Sequence, residues 1–215
     1  MTRVEWQQLA PPTDPIALDR VKDALKPELE NTQSSEWSKD LLLLALSTTG
    51  LTVVLAIGAF TLGGWELDMI PTRFFTLVPV LLIQLLAMVS CVAPRATRLG
   101  QFTVFLAPIT FLLMVMLRPE SEPTMNHPWV CSVSHFALAV LPLLIGFRVL
   151  AHAAISPWRA ISAGLAAGSV GALLGELACG QGSTHIAMFH VPAWIFTAAI
   201  AYFVSRQIRP KSYAP

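Results

Sequence analysis

Six apolar stretches, at roughly 41–63, 74–93, 101–117, 133–151, 158–179 and 187–205, leave this chain few ways to fold. A nearly uncharged run of about twenty residues, coiled as a helix, matches the hydrocarbon core of a bilayer. Lipid offers no hydrogen-bond partner to a backbone, so only helices and closed barrels cross it. The sequence therefore predicts an all-α integral membrane bundle of six transmembrane helices. Charged residues make up 13% of the chain and apolar residues 54%, with a mean hydropathy of +0.62. Soluble domains carry about 25% charged residues, so an ordinary soluble globule is excluded. The third run is short for a span and carries Pro108.

The spans define three parts: a segment over 1–40, the membrane domain over 41–205 and a tail over 206–215. The first forty residues hold eight acids and five bases and no apolar signal-peptide core, so they are expected to stay as a soluble segment. Within it, PIALDRVKDALKPELE places Leu18, Val21 and Leu25 at helical spacing, with Asp19, Arg20, Lys22 and Asp23 on other faces. Pro15 suits a helix start and Pro27 an end. Such a helix is too short to be stable alone in water and should order against something. The segment is slightly acidic, which argues against an anionic membrane surface and against direct nucleic acid binding. A basic partner protein fits it better. A merely solvated tail is the alternative.

Lysine and arginine counts set orientation. Arg95, Arg98, Arg148, Arg159, Arg206, Arg209 and Lys211 fall after even-numbered spans, in segments without acids; the opposite loops hold Arg73 and Arg118 with Glu66, Asp68, Glu120 and Glu122. Seven bases against two predict that both termini are cytoplasmic; in a bacterium the opposite face would be periplasmic and oxidising. Trp37, Trp65, Trp129 and Trp158 stand near the ends of spans, as interfacial tryptophans do.

The outer face then gathers polar groups. HPWVCSVSH brings His127, Cys131 and His135 to the start of the fourth span; Cys179 ends the fifth, His185 is expected in the last outer loop, and His190 opens the sixth. Spans four and five share a short loop and should pack as antiparallel neighbours, which would set Cys131 beside Cys179. Glu176 lies one turn inside Cys179, and an acid within a span is a functional candidate. Thiolates and imidazoles together suit a redox or metal sensor for zinc or copper. A structural disulfide with helix-capping histidines is the plainer reading. No CxxC or HExxH motif compacts the ligands, so no cofactor is called for, and a bound metal or porphyrin stays open. Cys91 lies at the opposite end and reads as a small buried hydrophobe.

Span five carries two GxxxG pairs, Gly164 with Gly168 and Gly171 with Gly175. Packing within the bundle is preferred over a dimer seam. Pro79, Pro108, Pro142 and Pro192 interrupt four spans and could mark kinks. A transporter would need charged groups through the bilayer centre, and Glu176 lies off-centre. A thiol oxidoreductase would need a second, exchanging cysteine pair. No serine–histidine–acid set or phosphate loop is visible, so an enzyme is not expected.

The block running from Cys131 through LPLL to SPWRAISAGLAAGSVGALLGELAC resembles the membrane-bound anti-sigma factors of the NrsF type. Shared features are a cysteine, a proline-bearing span, an arginine-containing turn, a glycine-rich span and a second cysteine. His190 falls near that family's aromatic or histidine signature at the start of span six. Anti-sigma factors of the light response share the same six-span plan. The acidic, proline-rich soluble segment departs from the basic juxtamembrane run of the family. The resemblance implies that residues near Leu18, Val21 and Leu25 hold an extracytoplasmic-function sigma factor inactive. It also implies that Cys131 and Cys179 serve signal response or stability, with release on a stress or light-derived signal.

Overall fold

The computed structural model describes residues 37–62, 69–93, 97–118, 127–151 and 156–208. The chain falls into two compact units, residues 1–39 and 40–215, and the described residues belong almost wholly to the second. Leu18, Val21, Leu25 and Trp65 lie outside the described residues.

Six helices are long and apolar enough to span a membrane: α1 (Trp37–Thr61), α2 (Met69–Val92), α3 (Thr97–Met116), α4 (Trp129–Ala151), α5 (Pro157–Ala178) and α6 (Ser183–Ser205). The chain is a multi-pass membrane protein of all-α architecture. Helices α1, α3, α4 and α6 each start four residues before the apolar runs beginning at 41, 101, 133 and 187. Their first turns are polar or interfacial, as in Ser183-Thr184-His185, and the N–H groups there lack intrahelical partners in any case. His185 is therefore a helical residue rather than a loop residue. Pro79, Pro108 and Pro142 lie inside helices that continue through them, and Pro192 sits in the opening turn of the α-helical part of α6. One π-helical turn, Leu46–Gly50, interrupts α1, and another, Ile186–His190, interrupts α6.

Helix α5 is the central post. In its most apolar window 83% of residues are buried, against 22% in α1 and α4, and it packs on α2, α4 and α6 along its length. Twelve of its 22 residues are Ala, Gly or Ser, which lets neighbouring backbones close in. Gly168 lies against the indole of Trp194, whose Nε1 donates to the Leu165 carbonyl at 2.9 Å. The glycines of α5 thus face helices of the same chain.

The exterior of the bundle is apolar, unlike that of a soluble protein, and polar side chains are mixed into its largely apolar core. Phe74, Phe75, Phe105, Leu144 and Phe196 point outward, while Gln84, Ser90, Thr103, Ser169 and Thr197 are inside. Lipid is the solvent here, so apolar exposure is cheap and polar groups seek the interior. At the end opposite the cysteine pair, buried Arg159 donates from Nε and Nη2 to the Cys91 carbonyl, at 2.9 and 2.7 Å, and from Nη2 to the Val92 carbonyl at 3.1 Å. It thereby satisfies the last carbonyls of α2, where a cation is also favoured by the helix dipole.

Candidate functional site

The polar groups of the other end converge where α4 and α6 begin and α5 ends. Cys131 lies in the first turn of α4, and Cys179 is the residue that terminates α5 in an extended conformation. His185 lies in the first turn of α6 and His190 ends its π-turn. One donor atom from each of these four residues lies within 4.8 Å of all the others. No disulfide links Cys91, Cys131 or Cys179.

The π-turn explains how two histidines five residues apart share one side. In an α-helix, about 100° per residue would set positions i and i+5 roughly 140° apart. A turn closed by i→i+5 bonds brings them back toward the same face, and such turns recur at functional sites. A side chain of α4 meets this turn, since Ser132 Oγ donates to the Phe189 carbonyl at 2.8 Å.

His135 stands behind His190, with its Nε2 3.0 Å from His190 Nδ1 and the two rings edge-to-face. Both imidazoles lie against α5 where it has no side chain. A Cβ at Gly175 would come 2.5 Å from His190 Nδ1 and 3.0 Å from His135 Nε2. The Nε2 atoms of His185 and His190 are buried and have no hydrogen-bond partner among the described residues. A cavity of about 490 Å³ between α4 and α5 reaches the cluster, with Cys131, His135, Leu138, Gly171, Cys179 and His190 in its wall.

Glu176 does not join the donor group. It is fully buried, and its Oε2 accepts from Arg118 Nη1 at 3.1 Å and from Thr76 Oγ1 at 2.7 Å. Arg118 also donates from Nε to the Gln181 carbonyl at 3.0 Å and from Nη2 to the Cys179 carbonyl. Arg73 donates to the carbonyl of Glu176 itself. The acid inside the span thus orients an arginine that grips the turn carrying Cys179. In the sequence Arg73 and Arg118 register only as topology charges. A signal for more is present there, since they are the only cations expected on that face, near span ends and close to the one acid within a span. His127 remains apart, exposed and stacked obliquely near Trp129.

Fold and site together define a six-helix membrane protein with a thiol–imidazole cluster at one end and no large described domain outside the bilayer. The chain is 32% identical, over 208 residues, to carotenogenesis protein CarR of Myxococcus xanthus, covering 95% of this chain and 94% of the relative. It belongs to the CarR family. No protein-family model matches it, and no solved structure does.

Proposed function

We propose that this protein is a bacterial inner-membrane anti-sigma factor. Its segment over 1–40 would sequester an extracytoplasmic-function sigma factor through Leu18, Val21 and Leu25, and release it when the membrane domain receives a stress or light-derived signal. The observation that carries this reading is the full-length likeness to a protein named for carotenogenesis. The six-span, two-cysteine layout and its resemblance to the NrsF type support it, as does an apolar stripe on a segment too short to be stable alone. On this reading the protein is a regulator and not an enzyme, both termini are cytoplasmic, and the cluster of Cys131 and Cys179 faces outward. The test is sigma-dependent transcription in cells carrying Leu18→Asp or Leu25→Asp at normal protein levels. An anchor residue at a partner surface is worth about 1–3 kcal/mol, so sequestration should weaken about tenfold or more and the promoter should fire. A silent promoter would rule out this surface.

A further inference from the structure

The geometry points to a tetrahedral site for a divalent cation of the zinc class, held by Cys131, Cys179, His185 and His190. Two sulfurs and two imidazole nitrogens are a donor set that selects zinc-like ions. Around zinc, with bonds of about 2.0–2.3 Å, such donors stand roughly 3.3–3.8 Å apart. Here all four lie within 4.8 Å of one another, so side-chain movement of about an ångström closes the shell.

Two independent features aim the histidines at this point. Their Nε2 atoms are buried without partners among the described residues, a costly state for an imidazole nitrogen that coordination relieves. The π-turn, itself an uncommon element, brings residues 185 and 190 to one face. The histidine pair then behaves as metal ligands usually do. With His190 Nδ1–H donating to His135 Nε2 across 3.0 Å, Nε2 of His190 carries the lone pair, and His135 sets the ring's orientation. Arg118, neutralised by Glu176, holds the carbonyls on either side of the Cys179 turn.

Binding replaces the two thiol protons, which leave to solvent, by two metal–sulfur bonds. The resulting Cys2His2 complex of a divalent ion carries no net charge, which suits a site at the edge of lipid. One ion would join the starts of α4 and α6 to the end of α5. The inference does not depend on the anti-sigma reading, because it concerns binding to the purified chain alone.

The full-length protein, purified in detergent under reductant and stripped with a chelator, is titrated with Co2+. One equivalent should give the intense visible bands of tetrahedral cobalt and thiolate charge transfer in the near ultraviolet, and Zn2+ should bleach both. Cys179→Ser and His190→Gln should abolish the bands, Cys91→Ser should leave them, and His135→Gln should weaken binding about 10–100-fold. On the unaltered chain, Zn2+ should protect Cys131 and Cys179 from alkylation, which locates the site even where a variant fails to fold. Octahedral or absent cobalt spectra, bands that persist in Cys179→Ser, or thiols alkylated equally fast with and without Zn2+ would each overturn the site.

Discussion

Replacing Arg118 by Met should destabilise the bundle more than replacing Arg118 by Met and Glu176 by Gln together. The Glu176 side chain is fully buried, and among the described residues its carboxylate has, besides Arg118, the Thr76 hydroxyl as partner, while Oε1 has none there. Removing one member of a buried ion pair strands the other charge and costs about 3–5 kcal/mol. Arg73 remains close, donating to the Glu176 carbonyl, which places the single substitution near the lower end, ~3 kcal/mol. That is roughly a hundredfold or more in the ratio of folded to unfolded protein, at about 1.4 kcal/mol per decade. In the double variant no carboxylate is stranded, Arg73 can keep its bond to the backbone carbonyl of residue 176, and the amide oxygen that replaces the carboxylate can still accept from Thr76, so at least about 1 kcal/mol should return. The assay is unfolding of the detergent-solubilised protein by titrated dodecyl sulfate, followed by tryptophan fluorescence. A single variant within about 1 kcal/mol of the parent, or a double variant less stable than the single one, would refute the ion pair as the organiser of this end.

Gly175→Ala should destabilise by about 1–3 kcal/mol, as overpacking does, because its Cβ would press on His190 and His135; denaturant unfolding checks this, and cobalt affinity should fall with it. An accessibility reporter placed after Pro215 should read cytoplasmic and one in the loop before Trp129 external. The reverse pattern would move the cysteines to the reducing side.

Hydropathy located all six helices, because a span must be apolar wherever it meets lipid and the backbone allows it no other form. The apolar runs begin later than α1, α3, α4 and α6 do for the same reason, since a first turn at the interface can be polar and hydropathy does not register it. The preference for bundle packing over a dimer seam followed from small residues alone. Gly168 with Trp194, and Gly175 with His190, show which partners those residues accommodate. Proline marked possible breaks, but Pro79, Pro108 and Pro142 sit in helices that run on. A missing N–H there is tolerated where neighbouring helices support the segment.

The site was legible as a list of residues and illegible as an arrangement. Charge asymmetry put His135, His185, His190, Cys131 and Cys179 at one face, and antiparallel packing of α4 and α5 put the cysteines near each other. Two steps lay beyond a one-dimensional reading. Helical arithmetic at about 3.6 residues per turn separates His185 from His190, and only the π-turn, with Ser132 bonded to the Phe189 carbonyl, reunites them. Glu176 looked like a functional acid because an unpaired charge in a span is expensive. Its partner arrives from the end of α3, 58 positions away in sequence, as Arg118. A charge-counting rule treats that arginine as loop composition, whereas here it is buried and spends its guanidinium on three acceptors. The acid therefore acts through the arginine: it neutralises the cation that fixes the Cys179 turn, and so leaves the two sulfurs and two imidazoles as the groups available for a ligand.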